Sequence, residues 1–307
     1  MEFDIPDVYK LLPKKQVKQR HILQPQETYR ALFIGPSGSS KTTQLVNFLL
    51  PSGKDGSFFP YQKLYIFSPT IKQEKFEILK STIEKLEEEI NKKTKKEFKI
   101  WHASENPKDA LSIESKLDPD FENLVVFDDY LTNPSILEAA KNLYIRGRHA
   151  NISVVFLSQE FYGLPAEMRK NSNIFAIFPG LTPRNISSLA QDIPLYGLPT
   201  KKFKEIVMKT TTPTKDEPYP YLYIDLTNKD KRYLIRKTAI HPTFINEFTF
   251  DTETGDMDSD EDSDSDVDEK IIEIKKPMKS EEKKEDSKQM TENVSKFIAD
   301  LKLKAKK

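Results

Sequence analysis

The chain contains no cysteine. Disulfides and cysteine-held zinc are therefore excluded, and the composition suits a reducing compartment. Its four histidines, His21, His102, His149 and His241, are scattered, so no histidine cluster has metal-ligand spacing. No apolar run approaches the roughly 18–20 residues that span a bilayer. The opening Met1-Glu-Phe-Asp4 lacks the basic-then-apolar pattern of a secretory leader. These absences predict a soluble, intracellular protein with no membrane span and no metal centre built on Cys or His.

An excess of one charge sign is also missing, since 48 Lys and Arg balance 48 Asp and Glu. The balance hides a segregation along the chain. The segment Asp251–Glu269 is dominated by Asp, Glu and Ser, and a Lys- and Glu-rich segment follows it, ending Lys302-Leu-Lys-Ala-Lys-Lys307. Without the acidic run the body is net basic, which suits a polyanionic partner. Beyond Phe250 there is little apolar material to bury, so residues 251–307 are expected to be a disordered acidic, then Lys/Glu-rich tail. Within it, Thr291–Leu303 carries a short amphipathic helical pattern. Ser259, Ser263 and Ser265 precede acidic residues, as acid-directed kinases prefer, and each phosphate would add about 1.5–2 negative charges. The run otherwise reads as a solubilising spacer, a DNA mimic or a docking segment.

Residues 1–30 are polar, with Pro6, Pro13 and Pro25, and read as an N-terminal arm. The fold is expected in residues 31–250. Short apolar runs at Ala31–Ile34, Leu64–Phe67, Phe98–Trp101, Leu124–Phe127, Ser153–Leu157 and Ile174–Phe178 predict strands covered on both faces, as in a parallel α/β sheet. Helical patterns lie between them at Thr42–Leu50, Lys72–Lys92, Ser135–Arg146, Pro165–Lys170 and Pro183–Leu189. Tyr219–Leu226 and Lys231–Lys237 flank Thr-Asn-Lys-Asp and predict a late hairpin.

The most informative segment is Gly35-Pro36-Ser37-Gly38-Ser39-Ser40-Lys41-Thr42-Thr43, directly after the first strand. A strand, a loop of small residues and Lys-Thr opening a helix together form a phosphate cradle. Backbone N–H groups point inward, and the helix start adds its positive dipole end. Lys41 would reach the β- and γ-phosphates of ATP, and the Thr42 hydroxyl would hold Mg²⁺. The usual pattern has Gly immediately before the Lys. Ser40 stands there, so it must accept a conformation that Gly adopts more readily. About 85 residues further on, Asn123-Leu-Val-Val-Phe-Asp128-Asp129 supplies an apolar strand ending in two carboxylates. Asp128 would hold Mg²⁺ directly or through water, and Asp129 would orient or deprotonate the attacking water. A third strand, Ser153-Val-Val-Phe-Leu-Ser-Gln159, ends on an amide able to donate to a phosphate oxygen while accepting from water. Ahead of it, Arg146, Arg148 and His149 lie in Arg-Gly-Arg-His. Arg148 is the favoured arginine finger toward a neighbouring subunit, with Arg146 and Arg169 as the alternatives.

In this order Gly35–Thr43, Val125–Asp129 and Gly147-Arg-His-Ala-Asn-Ile-Ser-Val-Val-Phe-Leu-Ser-Gln159 resemble the poxvirus-type DNA-packaging ATPases. That group also occurs in other large DNA viruses, virophages and polinton-like elements, within the FtsK–HerA branch of RecA-like P-loop ATPases. The resemblance covers roughly residues 25–245. It implies a RecA-like core with central sheet order 5-1-4-3-2, and a homo-oligomeric ring, pentamer or hexamer. It also implies an ATP- and Mg²⁺-dependent motor that pushes double-stranded DNA of any sequence into a preformed capsid, acting with capsid or portal-vertex proteins. The setting would be the host cytoplasm, viral factory or nucleus, or the virion. Lys41, Thr42, Asp128 and Gln159 carry over position by position, whereas Asp129 falls where many relatives have Glu. Phosphate contacts to DNA are expected from the basic stretches Lys92–Lys96 and Lys201–Lys204, read as loops. Two other readings fit the motifs less fully: a cellular or plasmid DNA pump, and a nucleotide-gated assembly protein that does not translocate.

Overall fold

The computed structural model of the protein describes Arg20 and residues 24–51, 56–193, 199–215, 217–227 and 233–237. The apolar runs become strands because both of their faces are covered. β1 (Arg30–Ile34), β2 (Lys63–Phe67), β4 (Asn123–Asp128), β5 (Ile152–Ser158) and β6 (Ile174–Ile177) carry almost unbroken buried rows. β3 (Trp101–Ser104), β7 (Tyr221–Asp225) and β8 (Tyr233–Lys237) complete one eight-stranded sheet, ordered β3-β2-β4-β5-β1-β6-β7-β8. All pairings from β3 through to β6 are parallel, while β6–β7 and β7–β8 are antiparallel. The five parallel strands β6-β1-β5-β4-β2 reproduce the expected 5-1-4-3-2 order. The difference lies at the flanks, where β3 is added outside β2 and the β7–β8 hairpin extends the sheet beyond β6.

Helices cover both faces. α1 (Lys41–Leu49) and α2 (Glu74–Thr94) lie on one face. α3 (Pro107–Leu111), α4 (Pro134–Arg146), α5 (Ala166–Asn171), α6 (Pro183–Asp192) and α7 (Thr200–Thr211) lie on the other. Strand alternation sorts the core between the two. Ala31, Phe33, Leu124, Val126, Val155 and Leu157 face α1 and α2, whereas Leu32, Ile34, Val125, Phe127, Val154 and Phe156 face the opposite layer. Side-chain caps start α4 and α6 of that layer. Asn133 accepts from Ile136 N ahead of Pro134, and Thr182 accepts from Asn185 N ahead of Pro183.

Three expectations need correction. The third strand lies at 101–104, not 98–101. Side chains of α2 take the backbone that an earlier strand would need. Asn91 bonds both the N–H and the C=O of Phe98, and Glu87 accepts from Ile100 N and Trp101 N, each at 2.7 Å. Lys201–Lys204 is the opening of α7 and not a loop, because Phe203, Ile206, Val207 and Thr210 form a buried stripe at helical spacing. Lys92–Lys96 is the last turn of α2 and its left-handed end at Lys95, φ 56°. The tail, including Thr291–Leu303, lies outside the described residues, as does nearly all of the N-terminal arm. No helix among the described residues is long and apolar enough to cross a membrane.

Asp225, at the end of β7, is buried and accepts from Thr227 N at 2.7 Å. Burial pushes its carboxyl up to about 6, against the hydrogen bonds from Thr227 and with a smaller push from Glu27. The folded state therefore holds the proton more tightly than the unfolded chain. The contribution favours folding most below about pH 4 and is lost as pH rises through about 6. Asp225→Asn keeps an acceptor for Thr227. It should raise stability at pH 8 by about 1–3 kcal/mol and give no gain below about pH 4, as read from thermal melts at the two pH values.

Candidate active site

The cradle begins where β1 ends. Gly35 N donates to Ser158 O of β5 at 3.1 Å, which ties the loop to the neighbouring strand. A Cβ on Gly35 would lie 2.6 Å from Phe178 Cβ and 2.7 Å from Ser39 Oγ, so glycine is required there. Gly38 (φ 77°) and Ser40 (φ 71°, ψ 15°) both take the left-handed conformation. Ser40 thus adopts the backbone that glycine usually supplies at this motif position, at an expense of about 1–2 kcal/mol. α1 follows with no side-chain cap and no acidic residue in its first turn. Its leading N–H groups are therefore available to an anion. The buried Ser39 Oγ has no hydrogen-bond partner. Lys41 Nζ folds back onto the carbonyls of its own loop, Gly35 O at 2.6 Å and Pro36 O at 2.8 Å. An uncapped helix start, an orphaned buried hydroxyl and an ammonium without a carboxylate partner are what a phosphate group would complete.

The acidic pair closes the other side. β4 ends at Asp128, which is buried and accepts from Ser68 Oγ at 3.2 Å. Burial raises its carboxyl to about 6. The Ser68 hydrogen bond opposes this, the Asp129 charge adds to it, and Lys41 and Lys75 oppose it. Burial lowers the Lys41 ammonium, with Lys75 acting in the same direction and both aspartates acting against. Asp129 leaves the strand with φ 61°. That turn brings its Oδ1 to Gln159 Nε2, which donates at 3.2 Å. Ser37–Thr43 of the cradle, Asp128, Asp129 and Gln159 all line a single cleft of about 400 Å³, whereas Gly35 and Pro36 lie outside its lining. Thr42 and Asp128 offer hydroxyl and carboxylate oxygens, the hard donor set that suits Mg²⁺ alongside nucleotide phosphates.

The three arginines lie elsewhere. Arg148 sits in the 3₁₀ turn Gly147–Ala150, at the amino end of β5, and pairs with Glu27 at 3.4 Å. Gln159 follows the carboxyl end of the same strand, so Arg148 is at the opposite edge of the sheet from its own cleft. Arg146 is exposed at the end of α4. Arg169 is half-buried, ion-paired to Asp192 at 3.1 Å and placed over the Phe161 ring. Sequence reasoning missed the wall that follows β2. Thr70, Gln73 and Lys75 line the cleft, and Ser68 Oγ lies 3.1 Å from Thr70 Oγ1 as well as bonding Asp128. The signal was present, since the run Leu64–Phe67 also ends on polar residues at the ligand-binding ends of the strands.

A mainly parallel sheet with a phosphate cradle after β1, carboxylates after β4 and an amide after β5 defines a P-loop nucleoside triphosphatase. A family model described as Poxvirus A32 protein matches residues 15–215, and the chain belongs to that family, the packaging ATPases whose motifs it resembles. No curated protein matches the chain. Among solved structures it is similar to the genome packaging NTPase B204 from Sulfolobus turreted icosahedral virus 2 in complex with AMP. That pair has 14% identity and a TM-score of 0.44, covering 67% of this chain and 96% of that one. B204 described as the DNA-packaging ATPase from Sulfolobus turreted icosahedral virus gives 14% and 0.43, covering 70% and 99%. EssC (ATPases 2 and 3) from Geobacillus thermodenitrificans gives 13% and 0.35, covering 67% and 38%.

The loop geometry separates two substitutions. Ser40→Gly should keep nucleotide affinity and raise stability by about 0.5–1 kcal/mol, because the left-handed strain is removed at the expense of chain entropy. Gly35→Ala drives a methyl group into Phe178 and Ser39, and should weaken nucleotide binding by about tenfold or more. Fluorescent-nucleotide titration and thermal melts read both.

Proposed function

We propose that the protein is an ATP-hydrolysing motor that moves double-stranded viral DNA into a preformed capsid. The observation that carries this reading is the convergence of Lys41 and Thr42 with Asp128, Asp129 and Gln159 around one cleft, in a chain of the poxvirus A32 protein family. In this mechanism the loop amides and Lys41 hold the β- and γ-phosphates, while Thr42 and Asp128 hold Mg²⁺. Held there, Mg²⁺ would neutralise part of the phosphate charge. Asp129 orients the attacking water and accepts its proton. Gln159, already bonded to Asp129, fixes the carboxylate and senses whether the terminal phosphate is present. Aspartate is one methylene shorter than the glutamate of many relatives, so Asp129 works closer to the water or through a second one.

Transport of any sequence needs contacts to DNA phosphates and none to base edges. Assembly as a ring gives Arg148 its role. β5 has seven residues and spans about 20 Å, so Arg148 is too far from its own cleft and can act only on a neighbour's γ-phosphate. Capsid or portal-vertex proteins are the proposed docking partners, inside the infected cell.

Full-length protein should hydrolyse ATP faster with duplex DNA of any sequence, and the stimulation should fall log-linearly with salt. Lys41→Ala should reduce hydrolysis by about 100-fold or more. Mixing Arg148→Ala with Asp129→Asn subunits should restore activity above that of either variant, because one shared site then joins an intact arginine to an intact carboxylate. Nucleotide-dependent oligomers that never displace a DNA-bound roadblock would replace the motor with an assembly role.

A further inference from the structure

Lys75 lies in the first turn of α2, and its side chain joins Thr70 and Gln73 in the wall of the nucleotide cleft. It is half-buried. Its neighbours on the same helix and loop are paired outward, Lys72 to Glu105 at 3.0 Å and Lys80 to Glu77 at 3.9 Å. Among the described residues Lys75 pairs with no carboxylate. The charged groups lining the cleft are Lys41, Lys75, Asp128 and Asp129, two of each sign. The cleft is therefore balanced only with Lys75 included, and a bound triphosphate with its metal ion adds net negative charge. The wall carrying Lys75 is also joined to the carboxylate side, through Ser68 Oγ to Asp128 Oδ2. That is the side where water and the terminal phosphate meet. The α- and β-phosphates belong to the loop and the α1 start.

We propose that Lys75 is a second phosphate-binding cation, whose ammonium contacts the terminal phosphate of ATP from the wall after β2 and stabilises the transferred phosphoryl group within the same subunit. The inference rests on reading the cleft as an ATPase site. In the step it serves, water oxygen bonds to the γ-phosphorus and the bond to the β–γ bridging oxygen breaks. The water proton passes to Asp129, and ADP and phosphate leave. Lys75 transfers no proton. It supplies positive charge where charge spreads over the equatorial oxygens, a fixed electrostatic contribution that needs no reorganisation. A subunit so equipped has basal activity before any neighbour's arginine arrives, and Arg148 then adds to that activity in the assembled state.

The test uses full-length Lys75→Met, which keeps the aliphatic stem and removes the charge, with Lys75→Arg as the charge-retaining partner. Thermal melts without nucleotide establish that both are folded. Lys75→Met should weaken a non-hydrolysable ATP analogue by about tenfold while ADP affinity changes by less than about twofold. Its kcat should fall by about 30- to 100-fold, and Lys75→Arg should recover part of both losses. Equal weakening of ADP and the analogue, or an unchanged kcat, would overturn the assignment. Wild type and Lys41→Ala run beside them separate the two levels. Lys75→Met behaving as wild type while Lys41→Ala is dead would remove Lys75 alone from the site. A wild type that hydrolyses no ATP would remove the ATPase reading and this proposal with it.

Discussion

The loop between β1 and α1 keeps its shape because both of its ends are clamped, and the geometry of the cleft depends on that clamp. One end is fixed where Gly35 N meets Ser158 O and where Phe178 stands 2.6 Å from the place a Cβ would occupy. The other end is α1, held by an aromatic cluster in which Phe48 lies 4.5 Å from Phe58, 5.1 Å from Phe59 and 5.9 Å from Phe33, centroid to centroid. Rings packed at these separations resist rotation and sliding together. Ser40, left-handed between the clamps, holds its strain because neither end can yield.

The cleft that results places two ammonium groups against two carboxylates within a partly buried space. Burial raises the Asp128 carboxyl and lowers the Lys41 ammonium, each away from its charged form. Opposite charges across the gap recover part of that loss. Charged ligands of the right sign recover more, because they arrive where desolvation has already been met by the fold. The desolvation of these charges and the fit of the cleft to an anion therefore have one origin.

Much of this was legible in the sequence because it depends on local pattern. Gly35–Thr43 after an apolar run, the Asp128-Asp129 couplet and Gln159 each end a strand, and parallel sheets collect strand ends at one edge. The five-strand order followed from the resemblance. What escaped depends on contacts between distant segments. Nothing local says that Glu87 and Asn91 will take the amides around Phe98 and Ile100 and push β3 onward to Trp101. Lys201–Lys204 read as a basic loop because four charged or polar positions precede the stripe at Ile206 and Val207, and only packing against the sheet reveals the helix. Lys75 was masked by the charged helix around it. Its charged neighbours Glu74 and Glu77 are exposed, and the tertiary placement of one turn makes it different.

The hydrogen bonds from Glu87 also bear on how copies of the chain associate. A sheet edge with open amides invites another strand to add itself, and β3 is the terminal strand on its side. The carboxylate of Glu87 already satisfies Ile100 N and Trp101 N at that border. Growth of a continuous intermolecular ribbon is thus blocked where β3 begins. Contact at that border is left to side chains.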